Sequence, residues 1–326
     1  MRVVGRRQFL LASLALGVAP ETRLAQAVAG APAIGLLDAG ERLDWWAALR
    51  KRLGELGYVE GQDVSYEARF ARGNLDRLPA LAQELVRLRV AVIVTSGNAA
   101  ALEARRATHK IPIVTATGAD HVTHGLAVSF ARPGRNVTGM TSIANDLTRK
   151  RFDLLREILP GMSRLAVLWH SENLGSAGAI SELESATESA KVALQNLGIT
   201  TATEIAEAFP AATGAHADAM FVVAGPLLFS ERRRIAELAL KNRLPTMHGP
   251  SEYVEAGGLV SYAPNYADLF RNAASYVDRI LKGAKPGELA IQRPTNFELA
   301  VNMKTARALG VKIPQSLLLR ASRVIE

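Results

Sequence analysis

The chain is 326 residues long, more than one hydrophobic core usually spans, so two lobes are expected. Apolar residues make up 48% and charged residues 21%, an ordinary globular composition, and the absence of Cys excludes disulfides, thiolate metal sites, Cys nucleophiles and a lipidated N-terminal Cys. Part of the formal charge of +8 sits at the N-terminus: without residues 1–27, which hold four Arg and one Glu, +5 remains, spread along the chain with no basic block interleaved with aromatics, which argues against nucleic-acid binding.

Residues 1–30 read as a cleaved export signal. Arg2, Arg6 and Arg7 form a basic start, and an apolar stretch from Phe9 ends near Ala19-Pro20, too short to anchor in a bilayer. Ala25-Gln26-Ala27 has the small-x-small form of a cleavage site, with Ala29-Gly30-Ala31 as an alternative, and Arg6-Arg7-Gln8-Phe9-Leu10 looks like a twin-arginine motif. No other stretch of 18 or more apolar residues follows, so a soluble protein in the periplasm is expected.

In the mature chain, Ala33–Leu37 reads as a first strand ending in Asp38. A helix follows with Trp45, Trp46, Leu49, Leu53 and Leu56 at helical spacing, stopped by Gly57. Gln62–Phe70 alternates as a strand, and Leu75, Leu78, Leu81, Leu85 and Leu88 step along one helix face. Val90–Val94 is a short β-branched run of the kind buried on both sheet faces, breaking into Thr95-Ser96-Gly97-Asn98 and then an alanine-rich helix to about Thr108. Ile111–Val114 is the next strand, and this βαβαβ alternation implies a parallel sheet with right-handed crossovers.

A second series begins after Thr141: a helix through Phe152 and Leu159, a strand at Arg164–Trp169, and a long helix from Leu183 to Leu197. Strands at Thr200–Ile205 and Ala219–Ala224 and a helix starting near Ser230 continue it. The series echo one another: Ile111-Pro112-Ile113-Val114 against Leu244-Pro245-Thr246-Met247, and Gly125–Phe130 against Gly258–Tyr262, with Pro112/Pro245 and Gly125/Gly258 both 133 residues apart. A helix over Tyr266–Leu281, a strand at Phe297–Val301 and a short helix at Lys304–Leu309 close the chain. The expected class is α/β, two doubly wound parallel-sheet lobes joined by a multi-strand hinge. The boundaries are 31–143 plus 262–283 for the first lobe and 144–261 plus 284–326 for the second.

Two such lobes leave a crevice at their strand ends, where small molecules bind. The residues at those ends, Ser96, Gly97, Asn98, Thr117 and Asp120 in the first lobe and His170, Asn173, Gly225, His248 and Glu252 in the second, are candidate ligand contacts, together with Asp38 and Trp46. Of the adjacent indoles, one is expected in the core and one at the cleft edge. No hydrolase, zinc-protease, phosphate-loop or dinucleotide motif occurs, so no enzyme and no cofactor is expected. Asp120-His121-x-x-His124 could hold a metal, but a polar loop capped by Asp120 accounts for it more simply.

Stretches in this order resemble one family: LGELGYVEGQDVSYEARFARGNLDRLPALAQELV, VIVTSGNAAALEAR, IPIV, GLAVSFARPGRNVTGMTS, RFDLLREILPG, EYVEAGGLVSYAPN and YVDRILKGAKPGELAIQRPTNFELAVNMKTARALGVKIP. They run from Leu53 to Pro314 and are similar to the extracytoplasmic substrate-binding proteins of ABC transporters that include tryptophan-binding members. The resemblance implies a type I periplasmic-binding fold, three crossings, a small ligand closed between the lobes, and an ABC permease as partner of a monomer. Asp120-His121 stands where the family often has Asp-Pro, and His170-Ser171-Glu172-Asn173 replaces a loop usually rich in Asn and Pro, so tryptophan is not carried over. An amino acid or small carboxylate is the expected ligand class. The alternatives are a sensor that docks to a signalling receptor, or a hydrolase or isomerase using Asp120, His121 and Glu252.

Overall fold

The computed structural model describes residues 30–119 and 121–326; the segment expected as an export signal, Gly30 apart, and the candidate contact Asp120 lie outside the described residues. Two sheets organise the chain. The first contains β1 (Ala33–Asp38), β2 (Ser65–Phe70), β3 (Val92–Ser96), β4 (Ile113–Thr117) and β5 (Val137–Gly139), all parallel, in the order β2-β1-β3-β4-β5. Between them run α1 (Leu43–Glu55), α2 (Leu78–Arg87) and α3 (Asn98–Ala107). Every residue of β3 is buried because its side chains alternate between two helical layers. Val92 and Val94 join the cluster holding Trp45, Trp46 and Leu49 of α1, while Ile93 packs with Leu81, Leu85 and Ala101 of α2 and α3.

The second sheet begins after α4 (Thr148–Ile158) with β6 (Arg164–His170), α5 (Ala177–Ser189), β7 (Ala193–Ile199), α6 (Ile205–Gly214) and β8 (Ala219–Val222). It continues through α7 (Pro226–Ser230), α8 (Arg232–Lys241), β9 (Thr246–His248), α9 (Glu252–Glu255) and β10 (Val260–Pro264). The chain then returns to the first lobe as α10 (Tyr266–Leu281), and comes back to the second as β11 (Phe297–Asn302), α11 (Met303–Leu309), α12 (Gln315–Leu318) and β12 (Arg323–Ile325). The order is β12-β11-β10-β9-β8-β6-β7, parallel except that β11 runs antiparallel to β10.

Three segments cross between the lobes and are laced together. The first, following Met140, pairs with the third, since Thr141 N donates to Gln292 O (2.9 Å). The second and third are tied where Asn265 N donates to Asn296 O (3.2 Å) and Asn265 Nδ2 to Glu298 Oε1 (2.6 Å). These contacts correct the expected boundaries. Tyr262–Pro264 belong to the second sheet through β10. Residues 284–292 stay with the first lobe, where Leu289 O accepts from Thr138 Oγ1 (2.6 Å) and Ile291 N donates to Phe130 O (2.8 Å).

Two element expectations also change. The long helix stops at Ser189, and 193–199 is the edge strand β7, leaving 200–204 as a turn instead of a strand. An edge strand is covered on one side only, and most of β7 is exposed or half-buried, so its sparse apolar residues read as one more helical turn. Gly125–Phe130, the expected echo of β10, forms no strand: Leu126 N and Ala127 N both donate to His121 O in a turn.

Candidate functional site

The carboxyl ends of both sheets face each other across a cleft with an empty volume of about 700 Å³, its open mouth included. Ser96, Gly97, Asn98 and Thr117 line it from the first lobe, and Asn173 and Gly225 from the second. Gly97 has φ +84° and ψ 163°, a conformation open essentially only to glycine, which turns the chain sharply from β3 into α3. The first-turn N–H groups of α3, which have no carbonyl partner within a helix, therefore open onto the cleft, with no side chain capping them. Asn98 stands at this tip, 6% exposed, with neither Oδ1 nor Nδ2 hydrogen-bonded among the described residues. A β-carbon on Gly118 would lie 2.6 Å from its Oδ1, and one on Gly175, across the cleft, 3.9 Å from its Nδ2. The amide thus spans the two lobes with a donor and an acceptor uncommitted.

Another part of the cleft wall is aromatic. Trp45 stacks on Tyr266 (4.5 Å between centroids, 10° between planes) and meets Phe229 of the second lobe at 5.0 Å. All three line the cleft. Arg42 lies beside them, its guanidinium carbon 5.3 Å from the Trp45 ring centroid and 5.8 Å from that of Phe229. Its Nη1 donates to Asp38 Oδ1 and to Ser96 Oγ (3.0 Å).

Several expected contacts lie elsewhere. Asp38 is fully buried beneath the cleft, where it accepts from Gly40 N (2.8 Å), Arg42 Nη1 and Trp46 Nε1 (3.0 Å); it holds Arg42 and does not line the cavity. Trp46 is the core indole, edge-on to Phe270 at 4.9 Å and stacked on Phe70 at 6.0 Å, and Trp45 takes the cleft position. His248 is buried inside the second lobe, stacked on Tyr253 (4.6 Å) and paired through Nε2 with Thr246 Oγ1 (2.8 Å); burial holds its pKa down at about 3, so its ring is neutral. His170 is buried at the end of β6 outside the cavity lining. Glu252 reaches the cleft edge rather than its floor: Oε1 accepts from Trp45 Nε1 (2.5 Å), bridging the lobes, and burial raises its carboxyl pKa. His121 is buried, with Nε2 2.9 Å from Thr115 Oγ1.

The reading from sequence missed Arg42, Phe229 and Tyr266. A carboxylate and a guanidinium four residues apart just past a strand end, Asp38 and Arg42, were the available signal for the first. The two aromatics sit in helices where they pass for core residues.

A family model described as ABC transporter substrate binding protein matches residues 40–325, nearly the whole described chain. The chain belongs to that family. A tyrosine-binding protein from Clostridioides difficile (strain R20291) is 22% identical over 262 residues, covering 80% of this chain and 75% of that protein. Among solved structures, the ABC domain of a Streptococcus pneumoniae protein in complex with L-Trp has a TM-score of 0.84 at 23% identity, covering 90% of this chain and 100% of that one. A ligand-free, open substrate-binding protein with adhesive properties from Clostridium difficile has a TM-score of 0.64 at 22% identity, covering 90% and 99%. This substrate-binding protein has the type I periplasmic-binding fold of those neighbours. Among the described residues no helix is long and apolar enough to cross a membrane.

Proposed function

We propose that the chain is the extracytoplasmic receptor of an ABC importer, closing on one small organic molecule that carries a carboxylate and an aromatic or apolar body. The observation that carries this reading is one cleft with two chemistries: the uncommitted amide of Asn98 at the open tip of α3 and the rings of Trp45, Phe229 and Tyr266 line the same cavity. Free helix N–H groups and hydroxyls suit an anionic group, and stacked rings suit a flat apolar one. Aromatic amino acids combine both, and the relatives described as binding tyrosine and L-Trp support that class.

Ser96, Asn98 and Thr117 would hold the polar end from the first lobe, with Asn173 and Gly225 closing over it from the second. Export through the twin-arginine-like signal would place the receptor in the periplasm, acting as a monomer and handing its ligand to the permease in the inner membrane. Of the residues in the rival enzymatic assignment, Glu252 is bound to Trp45 and His121 to Thr115, which favours the receptor reading.

A thermal-shift screen of amino acids, organic acids and aromatic acids on protein stripped of any retained ligand tests the reading. A ligand at a hundred times its dissociation constant adds about 2.7 kcal/mol of stability. L-tryptophan, L-tyrosine or an aromatic acid should shift the transition; shifts by neutral sugars alone would overturn the proposed class.

A further inference from the structure

Arg151 carries a charge that no acidic group among the described residues balances. It sits in the first turn of α4, 5% exposed, behind the cleft at the hinge. Its Nε donates to Tyr262 O (2.6 Å) in β10, and its Nη1 to Ala144 O (3.0 Å) in the first crossing. The guanidinium therefore clamps the first crossing to the strand that feeds the second. Its Nη2 is buried with no hydrogen-bond partner among the described residues. Among the described residues no carboxylate pairs with it; the groups that act on it electrostatically are the phenols of Tyr262 and Tyr266, and burial pulls its pKa down. Arginine stays protonated in proteins even so. A buried cation without a counter-ion is costly, and the cost falls when an anion comes near. Arg42 is different, because Asp38 already neutralises it.

The wall between Arg151 and the cleft is thin. Ala144, Ala224, Pro250 and Tyr266 line the cleft. Ala144 and Tyr266 are also neighbours of the guanidinium. A β-carbon on Gly249 would lie 3.7 Å from Nη2 and 3.3 Å from Ala224 Cβ, so on this side a bare glycine and Ala224 lie between the charge and the ligand space, with Pro250 and the Tyr266 ring beside them. A charge in such surroundings acts through low dielectric and is poorly screened by salt.

We infer that Arg151 is the counter-charge for the ligand's carboxylate and, through its carbonyl bonds to Ala144 and Tyr262, the residue that couples that carboxylate to the closed hinge. The inference rests on the reading of the cleft as a solute site. Arg151 is then a specificity-determining and positioning residue that acts from behind the cavity lining.

The test is calorimetric titration of L-tryptophan, L-tyrosine and phenylacetate, each against its own amide, into the wild-type protein and the Arg151→Met, Arg151→Gln, Arg151→Lys and Arg42→Met variants. The wild type should prefer acid over amide by about a hundredfold for whichever probe it binds. Arg151→Met should bring that preference below about fivefold while leaving affinity for the amide within about threefold, a split that loss of packing alone would not produce. Arg151→Gln, which keeps hydrogen-bond donors without charge, should behave as Met does and serves where Met fails to fold. Arg151→Lys should retain most of the preference, and Arg42→Met should weaken acid and amide alike. An undiminished acid preference in Arg151→Gln, or its loss in Arg42→Met alone, overturns the inference and leaves the solute-site reading standing. A wild-type protein that binds none of the three acids overturns both.

Discussion

Asn98 concentrates the chemistry of the cleft in one side chain. Its amide is buried with neither atom hydrogen-bonded, and leaving such groups unmade costs about 1–3 kcal/mol each. Asn98→Ala should therefore weaken ligand binding by about 1–3 kcal/mol, read by calorimetry, while thermal unfolding of the ligand-free protein moves little or upward. His248 makes a prediction of a different kind. Its ring has a pKa of about 3 in the fold against an ordinary 6.5, so below 6.5 the unfolded chain takes up a proton that the folded one refuses. Stability then falls as pH drops through that window, by about 1.4 kcal/mol per unit from this group. His248→Phe, which keeps the ring against Tyr253, should flatten the pH dependence of urea unfolding between 6.5 and 4; an unchanged slope would remove His248 from the account. At this scale the sequence was legible at the carboxyl end of a strand and in the turn just after it, where Ser96, Thr117 and Asn98 line the cleft, since the backbone decides where such residues go. It was opaque for Asp38 and His248, which share the strand ends, and for Trp46 in α1, all of which point into packed interiors, because side-chain direction there depends on partners distant in sequence, such as Phe270 for Trp46.

The turn from β3 into α3 is the element that builds the site, and Gly97 makes it possible. Gly97→Ala puts a β-carbon on a backbone with φ +84° and ψ 163° and should cost about 1–3 kcal/mol of stability. Ligand affinity should fall with it, because relief of the strain moves the tip of α3; a variant with native melting temperature and native affinity would contradict this reading of the turn. Elements with a strong one-sided pattern were the legible ones. α10 runs from Tyr266 to Leu281 as its apolar spacing implies, begins at Asn265, whose side chain accepts from Asp268 N (2.9 Å), and packs on α1. β7 was illegible because an exposed edge strand shows little alternation. The 133-residue echo was sound for β4 against β9 but failed at Gly125–Phe130, where the same small-and-apolar pattern folds back on His121.

The molecule as a whole is two sheets that meet through a few defined contacts and three laced crossings. The Trp45 to Glu252 bond is one such contact, formed only when the lobes are together. Burial, helped by the neighbouring charges of Glu255 and Glu298, raises the Glu252 carboxyl above its ordinary 4.5, while the Trp45 N–H works against the shift. Protonation therefore favours the closed arrangement, and closure is disfavoured as pH rises through the raised value. Glu252→Gln keeps an oxygen for Trp45 and removes the buried charge, so the ligand-free variant should have a smaller radius of gyration by solution scattering at neutral pH than the wild type, and a flatter dependence of that radius on pH. Equal radii across pH would show that this contact does not govern closure. The most direct trial of the account is a crystal structure with a carboxylate that shifts the melting transition. The account predicts density between the lobes, with the carboxylate at the tip of α3 beside Asn98 and the apolar body against Trp45 and Phe229. Density for that ligand outside the cleft, or with its carboxylate turned away from α3 and Arg151, would contradict it.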